Sequence, residues 1–235
     1  MQSAPVTIPG RFNGPANSGN GGYVCGLLAA HMDGASEVSL RAPPPLEVPL
    51  RLTRETGLAQ LHDGQMLLAE ARPAALTLAA PAAPSMAEAE AAARRYRGLA
   101  DHRYDTCFVC GPNRPRHDGL SIFTGPVEGR AMVAAPWTPG ADLGDDDGAL
   151  REIFVHAALD CPSYWALDHA GKPALLARMR CQLDAPPPRV GTPLIVAAWQ
   201  LGADGRKHRG ASALYTADGA LIARAQALWI EARAS

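Results

Sequence analysis

The feature that most constrains this chain is that it repeats itself. V-S-L-R-A-P-P-P-L-E-V-P-L, Val38 to Leu50, aligns with C-Q-L-D-A-P-P-P-R-V-G-T-P-L, Cys181 to Leu194, once one residue is inserted. With 21 prolines in 235 residues a Pro tract recurs easily by chance, so the match rests on its flanks. A helix-like segment precedes each tract: Gly21 to Met32 in the first half and Glu152 to His169 in the second. Strand-like runs follow each tract, with Asp63-Gly64 and Asp218-Gly219 as hairpin turns between them. Alternation such as L-I-A-R-A-Q-A-L-W-I, ending at Ile230, fits half-buried strands. Ahead of each helix stands another extended piece, Val6 to Asn13 and Leu120 to Trp137. Each half therefore reads as a strand or hairpin, one helix, then three or four antiparallel strands. Between the halves, Ser85 to Leu99 carries a capping box (Ser85 with Glu88), a run of alanines, acids first and arginines last. These features predict a first module over 1–84, a linker helix over 85–100 and a second module over 101–235.

Composition narrows the function classes. A net charge of −1 supplies no basic field for nucleic acid or an anionic membrane. No run approaches the length of a membrane span, and the N-terminus lacks a secretory signal pattern. Five cysteines without an export signal read as reduced thiols in a cytoplasm. Lys172 and Lys207 are the only lysines against many arginines, a bias typical of a GC-rich bacterial genome. No dinucleotide-binding, P-loop or serine-hydrolase motif is present.

Four local features stand out. Asn20-Gly21-Gly22 sits where the first helix begins, either as an ordinary loop entering a helix or as a turn that offers bare backbone N–H groups. Asp160 lies inside the apolar run A-A-L-D-C-P, where a carboxylate is costly unless it is paired or used. His156 is one turn earlier and can share its face. Cys107 and Cys110 form C-x-x-C-G, which structural zinc would have to complete with two more ligands, His102 and His117 being the nearest candidates.

One helix followed by a long antiparallel run, twice over, resembles the double hotdog fold: two α+β modules, each a curved antiparallel sheet around a central helix, paired as a pseudo-dimer. Cys107 to Leu120 is similar to the C-F-x-C-G…G-L entry to the first strand in hotdog thioesterase relatives. Ala157 to Pro162 is similar to that family's acid-bearing L-D-E-A helix segment, and Asn20 to Tyr23 to its H-G-G or N-G-G turn. Two departures stand: Asn20 replaces His, and Cys161-Pro162 replaces Glu-Ala.

The resemblance implies hydrolysis of acyl thioesters carried by CoA or acyl carrier protein. Helix-terminal N–H groups would polarise the carbonyl and a helix carboxylate would activate water or attack. In the family the acid follows the first motif residue by about nine positions. Here Ala29 falls at that offset from Asn20, and Arg151 lies nine before Asp160. One composite site follows, with Asn20, Gly21 and Gly22 from the first module and Asp160 from the second as catalytic candidates. His156 and Tyr23 are substrate-binding candidates. A non-catalytic acyl-CoA or lipid-binding protein and a hotdog dehydratase or hydratase remain as alternatives. No cofactor or metal is expected, since the resemblance accounts for C-x-x-C-G without one. The expected partner is the thioester itself, with neither nucleic acid nor membrane and with room for a homodimer of double-hotdog chains.

Overall fold

The computed structural model describes residues 2–115, 117–168 and 173–232. Eleven strands form one antiparallel sheet. In chain order they are β1 (Gln2–Val6), β2 (Ser36–Leu40), β3 (Leu50–Glu55), β4 (Leu58–Asp63), β5 (Met66–Pro73), β6 (Gly125–Pro126), β7 (Val133–Trp137), β8 (Ala174–Leu183), β9 (Leu194–Asp204), β10 (Lys207–Thr216) and β11 (Leu221–Glu231). The helices are α1 (Gly21–Ala29), α2 (Met86–Ala93) and α3 (Glu152–Trp165).

The strand order exposes the repeat. From a central seam the order runs β2, β5, β4, β3, β1 on one side and β8, β11, β10, β9, β7, β6 on the other. The two halves are thus copies related by a pseudo-two-fold axis at the β2–β8 pair, where Ser36 faces Cys181 and Val38 faces Met179. The seam strands are the residues just before the two A-P-P-P tracts. Proline ends both, because it cannot donate to a ladder.

Helices α1 and α3 share one face of the sheet and the main core, with Val24, Leu28, Phe154, Val155 and Leu159 buried between sheet and helices. Helix α2 covers the opposite face with a smaller core. Ala89 and Ala92 pack there against Ala134, Ile195 and Ala197. The first five residues of β9, Leu194 to Ala198, are therefore buried on both faces, which explains why L-I-V-A-A reads as a continuous apolar run rather than an alternating one. Both hairpin turns form where expected, with Gly64 and Gly219 at positive φ. The capping box of Ser85 and Glu88 is present. No helix among the described residues is long and apolar enough to cross a membrane.

Several boundaries differ from the sequence reading. Helix α1 stops at Ala29, and His31 and Met32 continue it only as i−3 turns. Helix α2 ends at Ala93, and Arg97–Leu99 forms a separate 3₁₀ turn. Helix α3 ends at Trp165, and the expected end at His169 lies outside the described residues. The extended piece over Val6–Asn13 breaks at Pro9, leaving β1 before it and a 3₁₀ turn, Gly10–Phe12, after it. In Leu120–Trp137 the first residues bond to the C-F-V-C segment instead of the sheet: Leu120 N–H donates to the Phe108 carbonyl and Ile122 N–H to that of Val109.

The two helices cross antiparallel and almost in backbone contact. A Cβ on Gly26 would lie 2.7 Å from Ile153 Cα, and one on Gly22 would lie 2.9 Å from Ala157 Cα. Propensity alone favours alanine over glycine inside a helix by about 1 kcal/mol. Here crowding reverses the sign. Gly26→Ala is expected to lower the urea midpoint, with a net loss of about 1–2 kcal/mol; a raised midpoint would show that the crossing is not close at this residue.

Candidate active site

The site is built where the N-terminus of α1 meets the second half of α3. Asn20 is the N-cap of α1, and its side chain works in two directions. Its Oδ1 accepts from Tyr23 N–H at 2.9 Å, as a cap should. That fixes the amide so that Nδ2 points the other way and donates to Asp160 Oδ2, also at 2.9 Å. Serine, threonine or aspartate could cap the helix but could not also donate to a carboxylate through an amide. Backbone ties hold the cap in place: Asn20 N–H donates to the Phe12 carbonyl and Gly19 N–H to that of Pro44.

Gly22 donates its backbone N–H to the same Asp160 Oδ2 at 2.9 Å. It must be glycine for that, since a Cβ would lie 2.5 Å from Asp160 Cβ and 2.7 Å from the His156 carbonyl. The neighbouring Gly21 N–H has no partner among the described residues, and Gly21 lines a cavity. The two glycines thus divide the work. Gly22 seats the carboxylate, and Gly21 presents an amide hydrogen at a helix N-terminus, where the dipole favours negative charge.

Asp160 is 2 % exposed, and its Oδ1 has no hydrogen-bond partner. Burial pushes its pKa up to about 7, against the opposing pull of the Gly22 N–H and the Asn20 amide. The Cys107 sulfur nearby adds to the rise. The result is a carboxyl group anchored through one oxygen, with the other unused. Around it α3 continues through Pro162, and side chains cover some carbonyls: Ser212 Oγ–H donates to the Leu159 carbonyl and Ser163 Oγ–H to that of Asp160.

Asn20, Gly21 and Asp160 all open onto one cavity of about 760 Å³. Leu40, Leu175 and Leu176 from the seam strands form one wall. Tyr164, Trp165 and Trp229 form another. Arg97 and Arg103 are exposed residues of the lining, with no ion pair among the described residues. The structure brings residues of the two halves together: Gly22 and Asn20 hydrogen-bond directly to Asp160, 138 and 140 positions away.

The other candidates sit elsewhere. Tyr23 stacks on Phe12 with ring centroids 4.3 Å apart, inside the core. His156 is buried with Nδ1 3.0 Å from the Glu152 carbonyl, and burial holds its pKa down. Neither lines the cavity. What sequence reasoning missed is a sulfur cluster on the cavity wall. Cys161, next to Asp160, places its sulfur 3.6 Å from that of Cys107, and Cys110 joins them. Hydrogen bonds from Cys110 and Cys161 hold the Cys107 thiol well below the ordinary thiol range. The only sequence signal was the C-x-x-C pair, since Cys161 lies 54 residues further on.

No protein-family model and no curated protein sequence matches the chain. Solved structures do, over nearly all of its length. The tesB protein of Mycobacterium avium subsp. paratuberculosis superposes with a TM-score of 0.64 at 12 % identity, covering 98 % of this chain and 93 % of that one. The acyl-CoA thioesterase II TesB2 of Mycobacterium marinum gives 0.60 at 13 % identity, covering 99 % and 94 %. A conserved protein with a hot dog fold from Alicyclobacillus acidocaldarius gives 0.62 at 11 % identity, covering 100 % and 94 %. These likenesses establish the double hotdog fold.

An anchored acid with an unpartnered buried oxygen costs stability. Asp160→Asn keeps an oxygen to accept from Gly22 and Asn20 and removes the charge. We expect it to raise stability by about 0.5–2 kcal/mol, read as a higher melting temperature. A lower melting temperature would show that the ionised form contributes to folding.

Proposed function

We propose that the chain hydrolyses acyl thioesters, with the acyl group held in the 760 Å³ cavity and the reacting carbonyl at its Asp160 end. The observation that carries this reading is that Asp160, with an unused oxygen, and Gly21, with an N–H unpartnered among the described residues, line the same cavity. The volume falls within the range of about 300–1,000 Å³ usual for small-molecule sites. The wall is mainly apolar at Leu40, Leu175, Leu176 and the aromatics, which suits an acyl chain. Arg97 and Arg103 offer charge to the phosphates of a CoA or acyl-carrier arm.

In this mechanism Asp160 Oδ1 accepts a proton from water as the water oxygen attacks the thioester carbon. Gly21 N–H and the α1 dipole stabilise the oxyanion that forms. The C–S bond then breaks, and the proton held by Asp160 passes to the departing thiolate. Asn20 and Gly22 hold Oδ2 and leave Oδ1 as the oxygen that takes the proton. A pKa near 7 suits a group that must take up and return a proton near neutrality. One of the structurally similar proteins is an acyl-CoA thioesterase II, TesB2 of Mycobacterium marinum, which agrees with this reading.

One observation favours a second reading. The Gly22 N–H, which could have been a second oxyanion donor, is already committed to Asp160. A site with a single free amide serves a non-catalytic acyl-thioester binder as well. The dehydratase alternative has less support, because His156 lies outside the cavity lining.

Asp160→Asn separates these readings. With purified protein, a panel of acyl-CoAs and thiol detection, an enzyme loses roughly 10²–10⁴ in kcat and keeps its affinity. A binder shows no turnover in either form.

Gly21→Pro tests the amide by itself. Proline is tolerated at the first position of a helix, and Asn20 already has the extended φ of −60° and ψ of 134° that a following proline requires. The nearest atoms to an added Cβ are Leu176 Cδ2 at 2.9 Å, Leu176 Cβ at 3.2 Å and Leu40 Cδ1 at 3.2 Å, so the end of the Leu176 side chain has to shift. The variant should fold and lose about 10²–10³ in kcat. Gly21→Ala, which retains the N–H, controls for crowding; equal losses in both would remove the amide from the mechanism.

A further inference from the structure

Cys107, Cys110 and Cys161 form an arrangement that hydrolysis does not use. Their sulfurs all lie within 4.8 Å of one another, and all three residues are buried. Two come from the turn that precedes β6, and the third comes from α3. We propose that these three thiolates bind one Zn²⁺ ion, so that the metal ties the 107–111 turn to the helix carrying Asp160.

The geometry fits a metal closely. Zn–S bonds of about 2.3 Å in a tetrahedron place sulfurs about 3.8 Å apart. The Cys107–Cys161 separation is 3.6 Å, far beyond a disulfide bond and close to that spacing. The rest of the set needs to contract by no more than about 1 Å. All-sulfur donors select a thiophilic ion such as Zn²⁺ over hard cations such as Mg²⁺ or Ca²⁺.

The surroundings aim and support the sulfurs. Gly111 closes the C-x-x-C turn by donating its N–H to the Cys107 carbonyl at 2.9 Å. A Cβ there would lie 2.5 Å from Cys107 N, so the turn requires glycine. Tyr96 O–H donates to the Cys110 carbonyl at 2.9 Å and holds the second arm. Donors also face the sulfurs. Asn20 Nδ2 lies 3.9 Å from both Cys107 Sγ and Cys161 Sγ. His102 Nδ1 accepts from Tyr104 N–H at 3.0 Å, which leaves the proton of the neutral ring on Nε2. That Nε2 lies 3.2 Å from Cys110 Sγ. His102 therefore acts as an N–H donor to a ligand sulfur, an outer-shell role common around metal ligands, and not as the fourth ligand. His117, the other histidine near the motif, is exposed. Three protein ligands leave a fourth tetrahedral position. The three cysteines line the cavity, so that position is open to a water or a small thiol, and the cavity gives the ion its path in.

The test uses the full chain, stripped with chelator and reduced with a phosphine, and titrated with Co²⁺. The expected result is about one bound equivalent, with a thiolate-to-cobalt charge-transfer band in the near ultraviolet and strong visible bands of tetrahedral Co²⁺. Added Zn²⁺ should bleach both, and Zn²⁺ loading should protect three thiols from alkylation. Cys161→Ala and Cys107→Ala should lose the band, and a Cys25→Ala/Cys181→Ala double variant should keep it. The proposal fails if the unmutated protein gives no charge-transfer band at micromolar Co²⁺, or if the band survives removal of all three cysteines. Neither outcome depends on turnover, so the metal site and the thioesterase reading stand or fall separately.

Discussion

The structure depends on how closely α1 can lie against α3. Gly22 and Gly26, one turn apart, strip α1 of side chains along the line of contact. Backbone then meets backbone, and the Gly22 amide comes within 2.9 Å of a carboxylate on the opposite helix. A single methyl group at Gly22 would push Asp160 away from the N-terminus of α1. The same residue thus sets the helix crossing and the placement of the acid. The cavity follows from this, because its polar end is the junction of the two helices and its apolar wall is the seam of the sheet beneath them.

Much of this was legible in the sequence, for reasons specific to particular residues. The repeat was visible because proline tracts end the equivalent strands β2 and β8 at the same place. The hairpins at Asp63-Gly64 and Asp218-Gly219 announce themselves through turns that need positive φ. Asp160 stood out because an acid in an apolar run has to be explained. The nine-residue offset paired it with Asn20 across the chain. Strands β2 and β8 themselves were harder to see. They are seam strands whose partners lie in the other half, and no local turn marks their pairing.

Other features were hidden because they depend on tertiary contacts. Leu120 to Thr124 forms no strand: Ser121 has a φ of 53°, and Leu120 and Ile122 bond to Phe108 and Val109 rather than to the sheet. The division of labour between Gly21 and Gly22 cannot be read from two adjacent identical letters. Only the crossing decides which amide faces the acid and which faces the cavity. The third cysteine was hidden in the same way. Cys161 seemed only a departure from an acid-bearing helix motif until α3 brought its sulfur to the C-x-x-C turn.

The pseudo-two-fold axis sharpens one last point. It maps Asn20 onto Arg151, Gly22 onto Ile153 and Ala29 onto Asp160, so the molecule has a second helix end where a like site could have formed. At that end Ile153 fills the place of the seating glycine, with Gly26 giving it room, and no carboxylate stands opposite. Arg151 makes no side-chain cap; its guanidinium lies 4.6 Å over the Phe154 ring instead. A buried carboxylate with an unpartnered oxygen is costly, and two of them in one core would double that cost. Packing therefore consolidates one end while polar chemistry is concentrated at the other. The asymmetry leaves the two residues of the helix pair with unpartnered buried side-chain atoms, Asp160 and Trp165, lining the same cavity.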